Sequence, residues 1–143
     1  MQQETFTVYV VDDDPSIRKA LERLLRSVGY HALTFDSAEE FIEFTSGQGE
    51  GCLVLDIRLP GLSGLDLHKK LVSQGKKYPV IFMTAHDNPQ WRERAKKMDA
   101  VAYLNKPFPE QTLLDAIQLG RSDKQLCTKE KAVNEKHSLK EAT

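Results

Sequence analysis

One stretch of sequence constrains the fold of this chain more than any other, and it centres on a single acid. Residues 52–55 are all apolar, Asp56 follows them, and Pro60, Gly61 and Gly64 then interrupt regular structure. A continuous apolar run is typical of a strand buried on both faces, and such a strand is usually central in a parallel sheet. We therefore expect Asp56 at the carboxyl end of a central strand, where open α/β sheets place their ligand crevice. The alternative is an acid that only caps a turn.

Strand and helix patterns alternate five times along the chain, which predicts an α/β fold. Apolar or β-branched runs predict strands at residues 6–11, 30–35, 52–55, 78–84 and 101–104. Apolar residues at helical spacing follow each run, and Asp14 before Pro15 is typical of a helix start. We expect Gly47, Gly49 and Gly51 in the loop before the third strand. Such alternation predicts a doubly wound parallel sheet with right-handed crossovers and helices on both faces.

Length and composition favour one domain. The chain has 143 residues with a formal net charge of −1, so its overall charge does not indicate a nucleic-acid or membrane surface. Cys52 and Cys127 lack metal-ligand or redox spacing. We expect a cytoplasmic location, because the sequence shows neither a signal-peptide pattern nor a membrane-length apolar run. Apolar periodicity fades near the end, so residues 5–119 are predicted to form the domain and residues 120–143 a polar helix or linker.

Reactive side chains stand at four of the predicted strand ends: Asp12 and Asp13, Asp56, Thr84, and Lys106. Parallel strands share a direction, so these groups are expected to meet at one edge of the sheet. Three carboxylates in one crevice repel each other unless a cation lies among them. Mg²⁺ (or Mn²⁺) suits oxygen ligands of this kind, with Asp13 and Asp56 as direct ligands and Asp12 acting mainly through water.

Each of these residues also has a purely structural interpretation. Asp12 and Asp13 could cap a helix, Thr84 could be a β-branched strand residue, and Lys106 could be a solvated loop lysine. In the functional interpretation, all of these residues act together in phosphoryl transfer. A carboxylate beside Mg²⁺ can attack phosphorus, while the Lys106 ammonium and the Thr84 hydroxyl hold the phosphoryl oxygens.

Four short motifs resemble those of one known family, in order and in spacing. They are VVDDD at residues 10–14, LDIRLPGLSG at 55–64, MTA at 83–85 and LNKPF at 104–108. They resemble the receiver (response-regulator) domain of two-component signalling over about residues 5–119, and especially the receivers of helix-turn-helix transcriptional regulators. The resemblance implies a flavodoxin-like (βα)5 fold with strand order 2-1-3-4-5.

The resemblance also implies a role for each residue of the metal and acceptor site. Asp56 would be the phosphoacceptor. Asp12 and Asp13 would be the acidic pair that binds the metal, and Arg58 would contribute its backbone carbonyl to the same ion. Asp99 departs from the family pattern, which usually has glycine there, although aspartate is among the few residues that tolerate a left-handed conformation.

Further roles concern the switch. The resemblance implies that Thr84 and Lys106 bind the phosphoryl group, that Tyr103 is the aromatic residue that changes rotamer, and that the Lys106-Pro107 bond is cis. From the residues alone, Tyr103 could equally be a core aromatic. We expect His86 to be an exposed loop residue and Trp91 to pack its helix against the core.

The expected function is a phosphorylation switch rather than a metabolic enzyme. Asp56 would accept a phosphoryl group from a sensor histidine kinase, with phosphorylation and dephosphorylation catalysed by the domain itself. The face built from the fourth helix, fifth strand and fifth helix would then act in output or homodimerisation. No membrane partner is expected, and nucleic acid would be contacted only through a DNA-binding domain not present in these 143 residues.

The residues leave three alternatives. One is a stand-alone receiver that acts through protein contacts. Another is a phosphohydrolase of the haloacid dehalogenase type that uses Asp12 and Asp14, although Pro15-Ser16 continues that motif poorly. The third is a flavin mononucleotide-binding module, although the first strand is not followed by a phosphate-cradling loop rich in serine, threonine and glycine.

Overall fold

A five-stranded parallel sheet runs through the part of the chain that the computed structural model describes, residues 6–44 and 51–121. Its strands are β1 (Thr7–Val11), β2 (His31–Phe35), β3 (Gly51–Asp56), β4 (Val80–Thr84) and β5 (Ala102–Asn105). The spatial order is β2-β1-β3-β4-β5, and all four pairings are parallel. This confirms the predicted fold class and strand order.

Helices connect the strands. They are α1 (Pro15–Ser27), α2 (Ala38–Phe44), α3 (Gly64–Ser73) and α4 (Pro89–Lys97), and a fifth helix, α5, begins at residue 110 and is described to residue 121. None of these described helices combines the length and the apolar character that crossing a membrane requires.

Two apolar clusters cover the two faces of the sheet. One cluster joins the sheet to α2, α3 and α4 through residues such as Phe41, Leu67 and Ala95. The other joins it to α1 and α5 through residues such as Leu25 and Ile117. Every residue of β1, β3 and β4 is buried, as expected for strands covered on both faces. Helices on both faces make this a doubly wound fold.

Capping side chains begin several of the helices. The Asp14 carboxylate accepts a hydrogen bond from the Ser16 backbone N–H at 2.9 Å and caps α1, as predicted. In front of α2, the Ser37 hydroxyl accepts from the backbone N–H of Glu40 at 3.0 Å. The Glu40 carboxylate in turn accepts from the backbone N–H of Asp36 at 2.9 Å, which is one residue earlier than in a standard capping box.

One prediction about the loop before β3 was wrong. Gly51 belongs to β3, where it pairs with Thr7, and a Cβ atom at this position would lie 2.7 Å from the Thr7 carbonyl oxygen. Glycine is needed here because the two strands approach closely, and not because the chain turns. Gly47, Gly49 and residues 122–143 lie outside the described residues.

Two local backbone predictions were correct. Asp99 has a φ of 59°, which places it in the left-handed region. The Lys106-Pro107 peptide bond is cis.

Gly64 brings the start of α3 directly against the end of β3. Its N–H donates to the Ile57 carbonyl at 3.0 Å, and a Cβ atom here would collide with the backbone carbonyl of Asp56. The loop between β3 and α3 therefore turns tightly and leaves Asp56 at the carboxyl edge of the sheet.

Candidate functional site

Three carboxylates meet at the carboxyl edge of the sheet. Asp12 follows β1, Asp56 ends β3, and oxygens of Asp12, Asp13 and Asp56 all lie within 4.8 Å of one another. Asp12 is 0% exposed and Asp56 is 6% exposed, whereas Asp13 is exposed. The cluster thus forms a crevice that reaches solvent on the side of Asp13.

Lys106 supplies a positive charge to this crevice. Its ammonium lies 2.7 Å from Oδ2 of Asp12 and 3.5 Å from Oδ2 of Asp56. The other Asp12 oxygen accepts the Asp14 backbone N–H at 2.9 Å. Both oxygens of Asp12 therefore already have partners within the chain, and its action on a metal through water stays a prediction.

Asp56 is the acid whose protonation is most affected by this environment. Burial raises its pKa to about 6 from the ordinary 3.8, with the Asp12 charge the next largest cause and Asp13 a smaller one. The Lys106 ammonium and the backbone N–H of Arg58, which donates to Oδ1 at 3.2 Å, partly oppose this rise. One ammonium beside three carboxylates leaves the cluster short of positive charge.

The donor set fits a hard divalent cation. Three carboxylates that converge within 4.8 Å, one of them exposed, are oxygen ligands of the kind Mg²⁺ takes when it keeps water in its remaining positions. Asp13 is the carboxylate best placed to meet an ion that enters from solvent. The metal roles of these acids and of the Arg58 carbonyl stay predictions.

Thr84 ends β4 beside this edge, with its hydroxyl engaged in the following loop. It comes directly after Met83, which pairs with Asp56 in the sheet. Its hydroxyl donates to the backbone carbonyl of His86 at 3.0 Å and accepts the His86 N–H at 3.1 Å. The fold therefore brings Thr84 to the predicted edge, and its hydroxyl stabilises the β4–α4 loop in this conformation.

Tyr103 links β5 to the beginning of α4. Its hydroxyl donates to the Asp87 carboxylate at 3.2 Å and accepts the backbone N–H of Asn88 at 3.3 Å. Asn88 is the N-cap of α4, and the Arg92 guanidinium lies 4.6 Å from the centre of the tyrosine ring. The ring is half-buried and packs against the core while its hydroxyl contacts the helix start.

Some contributors to the site were missed at the sequence level. Asn88 was detectable, because asparagine before Pro89 is a standard helix start. Glu39 was not detectable, because its carboxylate contacts the backbone of Leu62 from 23 positions away in the chain. Only the folded arrangement of α2 beside the β3–α3 loop reveals that contact.

Several residues outside the acid cluster also have defined positions in the fold. His86 is exposed in its loop, and Trp91 packs against the core, as expected. Cys52 is fully buried. His68 is buried against the Phe82 ring, with ring centres 6.0 Å apart, and burial lowers the pKa of its imidazole.

Comparison with known proteins identifies similar sequences. Residues 8–118 match the family described as response regulator receiver domain. Nodulation protein W of Bradyrhizobium diazoefficiens is 47% identical over 110 residues, which cover 77% of this chain and 48% of that protein. Transcriptional regulatory protein TdiR of Thauera aromatica is 41% identical over 111 residues, covering 78% of this chain and 49% of that protein. The chain thus spans about half the length of these curated relatives.

A solved structure gives the same result. The response regulator StyR is 43% identical and superimposes with a TM-score of 0.80, over 95% of this chain and 67% of that one.

Proposed function

This chain belongs to the response regulator receiver domain family, and from that premise we propose that Asp56 accepts a phosphoryl group from a sensor histidine kinase in a Mg²⁺-dependent reaction. The observation that carries the proposal is the crevice itself. A nearly buried carboxylate stands at the edge of the sheet, within 4.8 Å of two further carboxylates and 3.5 Å from a lysine ammonium. A partly shielded acid with specific charged partners at such an edge is typical of a functional site, and a metal and phosphoryl site accounts for all of these charges together.

In phosphoryl transfer the protein mainly positions the reacting groups and stabilises the charge on the phosphoryl oxygens. An Asp56 oxygen attacks phosphorus as the phosphorus–nitrogen bond of the kinase phosphohistidine breaks, and the imidazole leaves with the electron pair. Mg²⁺, when bound, neutralises charge on the acids and on the phosphoryl oxygens. Lys106 is held by Asp12 and lies beside Asp56, so its ammonium needs only a short movement to pair with a phosphoryl oxygen.

Thr84 and Tyr103 offer a route from the phosphoryl group to the surface. A hydrogen bond from the Thr84 hydroxyl to a phosphoryl oxygen would use the one proton that this hydroxyl now donates to the His86 carbonyl, so the contact with that carbonyl would break. Release of that loop would change the positions of residues 87 and 88, which are hydrogen-bonded to the Tyr103 hydroxyl. The start of α4 would then shift relative to β5, which changes the face formed by α4, β5 and α5.

The output of the switch is also part of the proposal. Because relatives such as TdiR are named as transcriptional regulators, we propose that phosphorylation here controls a DNA-binding domain, with the α4–β5–α5 face forming a homodimer. The domain catalyses only its own phosphorylation and dephosphorylation, so it acts as a signalling module in the cytoplasm and not as a metabolic enzyme. A stand-alone receiver would instead use the same face on a protein partner.

The geometry weighs against the phosphohydrolase alternative. Asp12 would be its nucleophile, yet this side chain is 0% exposed and both of its oxygens already accept hydrogen bonds. Asp14 would be its acid, yet its carboxylate caps α1.

A beryllofluoride titration tests the proposal, because this compound mimics a phosphoryl group on an aspartate. With Mg²⁺ present, we expect saturable amide NMR shifts at Thr84, His86 and Tyr103 in the wild-type chain and none in Asp56→Ala. Equal shifts in Asp56→Ala would overturn the assignment of the acceptor.

A further inference from the structure

Glu39, in the first turn of α2, contacts the loop that follows the acceptor strand. Its Oε2 atom accepts the backbone N–H of Leu62 at 3.2 Å. The preceding residue, Gly61, has a φ of +77°, and a Cβ atom there would lie 3.0 Å from the same oxygen. The carboxylate therefore lies directly against the Gly61–Leu62 backbone. A side chain at position 61 would crowd this carboxylate.

The two ends of this loop are held by neighbouring parts of the chain. At the β3 end, the Arg58 N–H donates to Asp56 and the Leu59 side chain is buried. At the α3 end, the Ser63 hydroxyl accepts the Asp66 N–H at 3.1 Å and caps the helix. Between them, within residues 6–44 and 51–121, the bond to Glu39 is the hydrogen bond that ties residues 60–62 to another element.

We infer that Glu39 is a positioning residue for the acceptor site, acting through this loop. The inference rests on the proposed function, because the loop carries the Arg58 carbonyl assigned to the metal. By tying residue 62 to α2, Glu39 restricts the backbone conformations open to residues 58–62 before an ion arrives. A loop ordered in advance loses less conformational entropy when a ligand binds, so the bond favours Mg²⁺ binding.

A second explanation has to be separated from this one. Glu39 is an acid beside the loop that follows Asp56, so removing its charge could weaken Mg²⁺ binding without any effect on the loop. Glutamine separates the two effects, because its amide oxygen can accept the Leu62 N–H while carrying no charge. Glu43, on the same helix and exposed, provides a matched control for loss of one acidic charge.

The experiment is a Mg²⁺ titration of the full 143-residue chain followed by amide NMR, with hydrogen exchange at Leu62 measured on the same samples. We expect Glu39→Ala to raise the Mg²⁺ dissociation constant about fivefold, the order expected for losing one typical hydrogen bond in an exposed loop. Exchange at Leu62 should quicken in the same variant. Glu39→Gln and Glu43→Ala should both stay within about twofold of the wild-type constant.

Two results would overturn the inference alone. One is a wild-type Mg²⁺ constant in Glu39→Ala despite faster exchange at Leu62. The other is an equal loss of affinity in Glu39→Gln and Glu39→Ala, which would reveal a charge effect. If the wild-type chain itself binds no Mg²⁺, the proposed function fails and the role of Glu39 fails with it.

Discussion

Replacing Asp56 by asparagine is expected to stabilise the folded protein at neutral pH while it removes the proposed acceptor. The folded-state pKa of Asp56 is about 6 and its ordinary value is 3.8, so the folded protein holds this proton more tightly than the unfolded chain does. A difference of roughly two pKa units corresponds to about 3 kcal/mol. At pH 7 the ionised carboxylate therefore lowers the free energy of unfolding by up to that amount, and asparagine removes the penalty.

The stability difference between Asp56→Asn and the wild-type chain should depend on pH. The stabilising effect of a protonated Asp56 is fully present below the ordinary pKa of 3.8 and is lost as the pH rises through about 6. The advantage of Asp56→Asn should therefore be about 2 to 3 kcal/mol near pH 7 and should fall towards zero near pH 4.

Urea unfolding followed by circular dichroism measures this difference at each pH, with a chelator present so that metal does not contribute. Glu43→Gln, an exposed acid on α2, serves as the control and should change stability little at any pH. An Asp56→Asn protein no more stable than wild type at neutral pH would refute the reasoning. So would an advantage that does not vary with pH.

Three further predictions concern Lys106, Asp13 and Tyr103. Lys106→Met leaves the buried carboxylate of Asp12 without its ion-pair partner, so urea unfolding at neutral pH should show a loss of about 3 kcal/mol, and an unchanged midpoint would contradict the pairing. Mg²⁺ should raise the thermal midpoint of the wild-type chain and have much less effect on Asp13→Asn, as differential scanning calorimetry can show; equal shifts would argue against Asp13 as a ligand. Tyr103→Phe removes the hydroxyl that contacts Asp87 and Asn88, so it should cost about 1 kcal/mol and quicken amide exchange at the start of α4, whereas unchanged exchange would argue against this link.

Much of the fold was predictable because the central strands are covered on both faces. Continuous apolar runs such as residues 52–55 and 80–83 are typical of strands buried on both faces, and the alternation of strand and helix patterns along the chain favours that assignment. Strand direction then determines that Asp12, Asp56 and Lys106 meet at one edge. For this reason the location of the crevice followed from residues far apart in the sequence.

Side-chain pairing within the crevice was not predictable in the same way. Lys106 lies closer to Asp12 than to Asp56, and the Thr84 hydroxyl faces the backbone of His86. These side-chain contacts depend on rotamers and on competition between nearby hydrogen-bond acceptors. Neither can be inferred from the spacing of residues in the sequence. Gly51 shows the same limit for the backbone, because glycine is typical both of loops and of strands that approach closely.

The most direct test of the central claim is to treat the wild-type chain with acetyl phosphate and Mg²⁺ and to locate the added group by mass spectrometry. The account predicts one phosphoryl group, attached to Asp56 and lost when Mg²⁺ is withheld, with none on Asp56→Asn. A phosphoryl group found on Asp12, or equal uptake by Asp56→Asn, would contradict it.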